Sequence, residues 1–318
     1  MLKLEDLFEH FDLARLALTH YPHDPASLDA WLPRFRISSN AVYPFCDDGG
    51  LCFLRLCPEG EKPLAHIEGE IAFIRHLRDA GYPAMEPLPM TDGALCRTLH
   101  TPWGRWHVSA FRAVPGMPLE DAPLGGDTLM AYGASLARLH DLSAGQAFAR
   151  PSYEETAAQM RPLLPQALHP VLDGVMADLA ALPRTDETFG LVHYDFELDN
   201  IFLDPASGVI SVIDFDDSLY HFYALDIAQA LDSLADRFEG DALAGARSSF
   251  LRGYRSVRPF TAEQTLPLMR RFVDLRAVAR LTHCLDSAPA ARPQWLVQLE
   301  AKLTYKRGLL IASLQQGL

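Results

Sequence analysis

Residues 191–217 read LVHYDFELDNIFLDPASGVISVIDFDD, and the reading of this stretch decides the fold. Two apolar runs, Ile201-Phe202-Leu203 and Val209-Ile210-Ser211-Val212-Ile213, flank Asp204-Pro205-Ala206-Ser207-Gly208, which is rich in turn formers. The pattern predicts a β-hairpin. Asn200 immediately precedes the first strand and Asp214 immediately follows the second. Antiparallel pairing is expected to set them side by side, about 5 Å apart. An amide oxygen and a carboxylate placed there can share one magnesium ion, which takes hard oxygen ligands at about 2.1 Å. Asp195 lies on the loop feeding the same end of the hairpin.

The spacing His193-x-Asp195-x-x-x-x-Asn200, followed by Asp214-Phe215, supplies one base and two metal ligands. Phosphoryl transfer needs such a set, because it depends on positioning and charge neutralisation more than on covalent catalysis. Asp195 is the expected acceptor of a substrate hydroxyl proton, Asn200 and Asp214 the expected metal ligands, and His193 a structural support for the loop. Asp and Asn also favour plain turns. Three of them at this spacing, with His193 in place, favour function.

Phosphate chemistry also calls for a cation on a sheet, held by an acid on the next helix. Arg55 ends the third predicted strand and Glu70 lies on the following helix, sharing a face with Phe73 and Leu77. Glu68, two residues earlier, is the alternative. Glu197, Asp199, Asp216 and Asp217 would surround the base with negative charge and favour an amine-bearing alcohol; hydrated turn residues are the other reading. His140, on an apolar helix face, reads as a satisfied core histidine. Asp226, before Ile227-Ala228, reads as a helix cap.

Outward from this stretch the pattern changes once. Leu4, Leu7, Phe8, Phe11, Ala14 and Leu18 recur at helical spacing, so residues 1–30 predict an amphipathic helix docked on the core. Residues 31–112 are strand-rich, with strands at 34–37, 41–45, 51–56, 95–98 and 106–112 and one helix over 64–80 that stops at Gly81 and Pro83. From Pro115-Gly116 onward the pattern is helical, and Asp127 or Thr128 is placed to cap the first helix. The expected architecture is α+β in two lobes, a small antiparallel sheet and a larger helical lobe over 113–318.

Composition excludes several classes. A net charge of -13 would repel a phosphate backbone, so nucleic acid is not an expected partner. No apolar run reaches bilayer length, and the first residues carry acids where a signal peptide carries bases, which predicts a cytoplasmic protein without a membrane partner. Five cysteines without a CxxC pair predict free thiols.

The chain at this point resembles the aminoglycoside phosphotransferase and choline kinase superfamily, small-molecule relatives of protein kinases. The likeness spans residues 35–235. It is carried by Ser39-Asn40-Ala41-Val42-Tyr43, Leu54-Arg55, Glu70-Ile71, Val114-Pro115-Gly116, Leu136-Ala137-Arg138-Leu139-His140, the run from His193 to Asn200, and Ile213-Asp214-Phe215-Asp216-Asp217. The resemblance implies a protein-kinase-like fold and an ATP (or GTP) cleft with Mg2+, in a monomer or homodimer that phosphorylates a small-molecule alcohol. It places Asn40 in the nucleotide loop and adenine on the backbone of Ala110, Phe111 and Arg112. Relatives commonly have glycine where Tyr194 stands and His-Pro-Gly where Glu197, Leu198 and Asp199 stand, so the substrate stays open. A nucleotide-binding pseudokinase is the main rival. The lack of DFG and of an APE-type segment weighs against a Ser/Thr protein kinase, and the scattered histidines weigh against a metal phosphoesterase.

Overall fold

The computed structural model describes every residue except 288, 290, 317 and 318. A 3-10 turn at Leu4–Asp6 precedes α1 (Phe11–Leu18) and α2 (Leu28–Trp31). The small lobe follows as β1 (Arg36–Ile37), β2 (Ala41–Asp47), β3 (Gly50–Pro58), α3 (Leu64–Asp79), β4 (Glu86–Pro87), β5 (Cys96–Thr101) and β6 (Gly104–Arg112). Its strands form one antiparallel sheet in the order β1-β2-β3-β6-β4, with β5 also paired to β6.

Side chains alternate across a strand, and this sorts the two faces of the sheet. Tyr43, Phe45, Leu54, Leu56, Val108 and Ala110 are buried in one cluster with Leu13, Ala14, Ala17 and Leu18 of α1. Arg55, Ser109 and Phe111 share the opposite face, where the Arg55 guanidinium lies 4.8 Å from the Phe111 ring. The apolar spacing from Leu4 to Leu18 does not make a single helix. The chain breaks near His10, and Leu4, Leu7 and Phe8 join Leu281, Cys284 and Leu296 instead. Periodicity marked the apolar residues on both sides of the break; it could not show that the halves have different partners.

The large lobe comprises β7 (Met117–Pro118), α4 (Gly126–Ser143), α5 (Tyr153–Met160), α6 (His169–Ala181), β8 (Phe189–Val192), β9 (Ile201–Leu203), β10 (Ile210–Val212), β11 (Leu219–Phe222), α7 (Ala224–Ser233), α8 (Gly240–Val257), α9 (Leu266–Leu285) and α10 (Gln294–Gln316). Neither Asp127 nor Thr128 caps α4, which begins at Gly126 with Gly125 as its N-cap. Close backbone contact locks α4 to α8. A Cβ on Gly133 would meet the Phe250 carbonyl oxygen at 2.0 Å, and one on Gly253 the Met130 oxygen at 1.9 Å. At Gly116 the backbone is left-handed (φ 94°) and a Cβ would strike the Leu203 oxygen at 2.1 Å, so only glycine lets the inter-lobe segment pass the hairpin. Among the described residues no helix is long and apolar enough to cross a membrane. All five cysteines are free thiols.

Candidate active site

The hairpin forms as β9 and β10, with Ile201 opposite Val212. In that register Asn200 faces Ile213, whose N–H donates to the Asn200 carbonyl at 3.0 Å. Asp214 is therefore one residue past its expected partner. Its left-handed backbone (φ 61°) redirects the chain there, a conformation aspartate tolerates better than most residues. Asn200 Nδ2 donates to Asp195 Oδ2 at 2.8 Å and to the Asp195 carbonyl at 3.0 Å. The amide thus orients the Asp195 carboxylate and leaves its own Oδ1 as a free acceptor.

Burial, chiefly, and then the charge of Asp217 hold the Asp195 carboxyl well above the usual carboxylate range. Asp214 retains accessible surface in the cleft, yet its carboxylate makes no hydrogen bond or ion pair among the described residues. Crowding by protein and then the charge of Asp216 push it up to about 7, against the pull of Arg55. A carboxylate short of positive charge beside a free amide oxygen fits a hard divalent cation. No three His, Cys, Asp or Glu side chains converge on a cage among the described residues. Two protein ligands, with the remaining positions left to water and phosphate oxygens, is the arrangement magnesium favours.

The loop that carries Asp195 is held from below. His193 is fully buried; its Nδ1 accepts the Asp195 N–H at 3.2 Å and its Nε2 lies 2.9 Å from the Ile213 carbonyl, so Nε2 carries the proton. Burial pushes its pKa down, which keeps the ring neutral. Asp226 accepts the N–H of His193 at 2.8 Å and that of Tyr194 at 2.7 Å, and His140 Nε2 sits 3.1 Å from the same carboxylate. Asp226 is therefore no helix cap: α7 starts without a side-chain cap, and the carboxylate anchors the loop that carries Asp195 instead. One sequence signal pointed there. A carboxylate among Leu225, Ile227 and Ala228 is too costly to bury without strong partners. His140 is a satisfied core residue, also 2.8 Å from the Tyr254 hydroxyl.

Tyr194 adopts φ 64°, the left-handed region that suits glycine. Three contacts hold the strained tyrosine: Asp226, the Gln229 amide on its carbonyl at 3.1 Å, and Arg276, whose guanidinium lies 3.9 Å from its ring.

In the small lobe Arg55 and Glu70 meet as a buried fork, at 2.8 and 2.7 Å, and Glu68 takes no part. Arg55 also lies 3.6 Å from Asp216. Asp216 is buried, paired with Lys62 and bonded by Asn40 Nδ2 at 2.9 Å. Asp217 is held by Arg276 at 3.0 Å and by Arg280, whose other nitrogen reaches Ser39 Oγ at 2.5 Å. Despite the burial cost, these cations hold Asp216 and Asp217 below the usual carboxylate range. Both are saturated by protein cations, unlike Asp214. Glu197 and Asp199 are half-buried; burial and then Asp199 push Glu197 up to about 7. Ala110, Phe111 and Arg112 lie inside the ladder, with β3 on one side and β4 or the Leu88 amide on the other, and the Arg112 side chain is tied to Asp47 at 2.5 Å. Ala113 N–H still donates to the Leu51 carbonyl of β3 at 3.0 Å, and residues 114–116 are the first to leave the sheet. Lys62, Arg276 and Arg280 carried no motif and were invisible in sequence; packing alone brings them to the site.

An antiparallel small lobe, a helical large lobe and a base-plus-hairpin set between them define a small-molecule kinase with a protein-kinase-like fold. The chain belongs to the phosphotransferase enzyme family, which it matches over residues 34–260. It is 29% identical to a homoserine kinase of Caulobacter vibrioides over 74% of this chain and 77% of that one. With the amicoumacin kinase of Bacillus subtilis it shares 24% identity over 60% and 59% of the two chains. A solved structure of amicoumacin kinase hAmiN in complex with AMP-PNP, Ca2+ and Ami superposes with a TM-score of 0.76, at 21% identity, over 94% of this chain and 93% of that one.

Proposed function

We propose that this kinase transfers the γ-phosphate of ATP, with Mg2+, to a hydroxyl group of a small molecule. One observation carries the reading. Asp195 and Asn200 are bonded to each other and Asp214 is left unpaired beside them, while Asp216 and Asp217 are taken up by protein cations. Asp195 accepts the acceptor's hydroxyl proton as that oxygen attacks phosphorus. Asn200 keeps the carboxylate oriented for this, and its Oδ1 joins Asp214 in holding the metal. Bound there, the cation neutralises negative charge on the nucleotide phosphates. Arg55, fixed by Glu70, presents a fork to the phosphates from the small lobe. Residues 114–116 supply adenine contacts, since the backbone of 110–113 is already engaged with the sheet. An ammonium group on the acceptor would meet Glu197 and Asp199, the two nearby acids without a cation partner among the described residues.

The relatives named for homoserine and amicoumacin, and the nucleotide and divalent cation in the hAmiN complex, support the same reading. A coupled ADP-release assay over amino alcohols, aminoglycosides, sugars and hydroxy amino acids tests it. Asp195→Asn is expected to lower turnover by about 10²- to 10⁴-fold, and Asp214→Ala to abolish magnesium-dependent turnover. Equal rates in wild type and both variants would favour a pseudokinase.

A further inference from the structure

Beside the metal-ligand set, and separate from it, lies a cavity of about 280 Å³ between the two lobes. Residues 60–63 and His66 of the small lobe form one wall. The large lobe supplies Thr156, Gln159 and Met160 from α5, and Arg276, Ala279, Arg280 and His283 from α9. Each group recurs at three- and four-residue spacing, so each helix turns one face to the space. None of Asp195, Asn200 and Asp214 lines it; the cavity reaches their neighbourhood through Asp216 and Asp217.

The charge of this cavity opposes that of the chain, whose net charge is -13. Four lasting cations, Lys62, Arg150, Arg276 and Arg280, face three carboxylates, Glu61, Asp216 and Asp217. The pairing is uneven as well. Arg276 and Arg280 share Asp217, and Arg150 bonds only backbone carbonyls, those of Ser218, His66 and Asp216, at 2.9, 2.7 and 2.6 Å. Glu61 lies 3.0 Å from His283. Lys62 keeps 19% of its side chain accessible and Arg280 30%, so both cations can meet a ligand. Arg276, which shares Asp217 with Arg280, also covers the ring of Tyr194, the residue before the base, at 3.9 Å. The cationic wall thus abuts the loop that carries Asp195.

We infer that this cavity receives the acceptor and that the acceptor carries a carboxylate, held by Lys62 and Arg280 while its hydroxyl faces Asp195. This assignment rests on the kinase reading above and narrows its substrate class to carboxylate-bearing alcohols. Met160 and Leu163 offer an apolar surface for the carbon skeleton between the two polar ends.

The test uses matched acceptors of three to six carbons: hydroxy acids and hydroxy amino acids, their amides, and the corresponding amino alcohols. With the full chain and MgATP, at least a tenfold higher kcat/KM for acid over amide is expected. In Arg280→Gln and Lys62→Gln that ratio should fall toward unity through KM for the acid, with KM for ATP changing less than twofold. An amide or amino alcohol used as well as its acid overturns the assignment. So does ATP hydrolysis without phosphorylation of any acid, or an unchanged ratio in both variants. A rise in KM for ATP alone would assign these cations to the nucleotide phosphates instead. If a variant fails to fold, the wild-type comparison of acid with amide still decides. The kinase reading fails separately, when wild type and Asp195→Asn turn over ATP equally.

Discussion

Asp214 and Asp216 are two residues apart in one short segment, yet their surroundings differ in kind. Asp214 lies in the cleft with no cation of its own and is pushed up to about 7. Asp216 is buried between Arg55, Lys62 and Asn40 and is held well below the usual range. The first carries a charge that a proton or a bound cation would relieve. The second closes an internal network joining the lobes. Carboxylates this near in sequence can thus serve chemistry and cohesion separately, and the supply of positive charge around each determines which.

Paired substitutions can break this contrast. Asp214→Ala should remove turnover while leaving the melting temperature unchanged or higher, because a strained charge is deleted. Asp216→Ala should instead destabilise the fold by about 3–5 kcal/mol, the range for breaking a buried ion pair from one side. Thermal melts and ADP release on the same preparations check both. Similar melting changes in the two variants would end the distinction.

A smaller effect is expected at the anchor under the loop. Asp226→Asn keeps the shape but weakens two charge-assisted hydrogen bonds, to the amides of His193 and Tyr194. A loss of about 1.5–3 kcal/mol is expected, with kcat falling more than KM, because the base is displaced and not deleted. Steady-state kinetics beside a denaturant melt would measure the split; an unchanged kcat would show that Asp226 serves stability alone.

The smallest effect concerns Glu197, which is pushed from 4.5 to about 7 by burial and Asp199. A carboxyl group with a raised pKa binds its proton more tightly when folded. Its favourable contribution is thus fully present below 4.5 and is lost as pH climbs through 7. Glu197→Gln should therefore stabilise the chain at pH 8 relative to pH 5, by about 1 kcal/mol after solvent screening. Melting curves at the two pH values test the sign, and an equal gain at both would remove the raised pKa from the account.

Much of the site was legible in the residues between 191 and 217 because its parts are close in the chain. Turn chemistry announces the hairpin, and the hairpin brings Asn200 near Asp214. The order of Arg55 and Glu70 along a strand and the next helix was enough to anticipate their meeting, since a helix after a strand has few ways to pack on the sheet. The one-residue offset of Asp214 from Asn200 was not legible, because register depends on the ladder and on a left-handed backbone that the composition does not announce. Likewise, helical spacing could not reveal the break near His10.

By itself the sequence determined the two-lobed order and singled out the residues proposed as base and metal-binding pair. These follow from local propensity and from contacts over short chain distances. Only the tertiary structure decided which acids are neutralised and how the loop is anchored. Asn40 meets Asp216, Arg280 meets Asp217 and Ser39, and Asp226 meets His140, across long separations in the chain. Coulomb forces act on distance in space, and nothing in a residue's neighbours along the chain reports which distant helix brings the opposing charge.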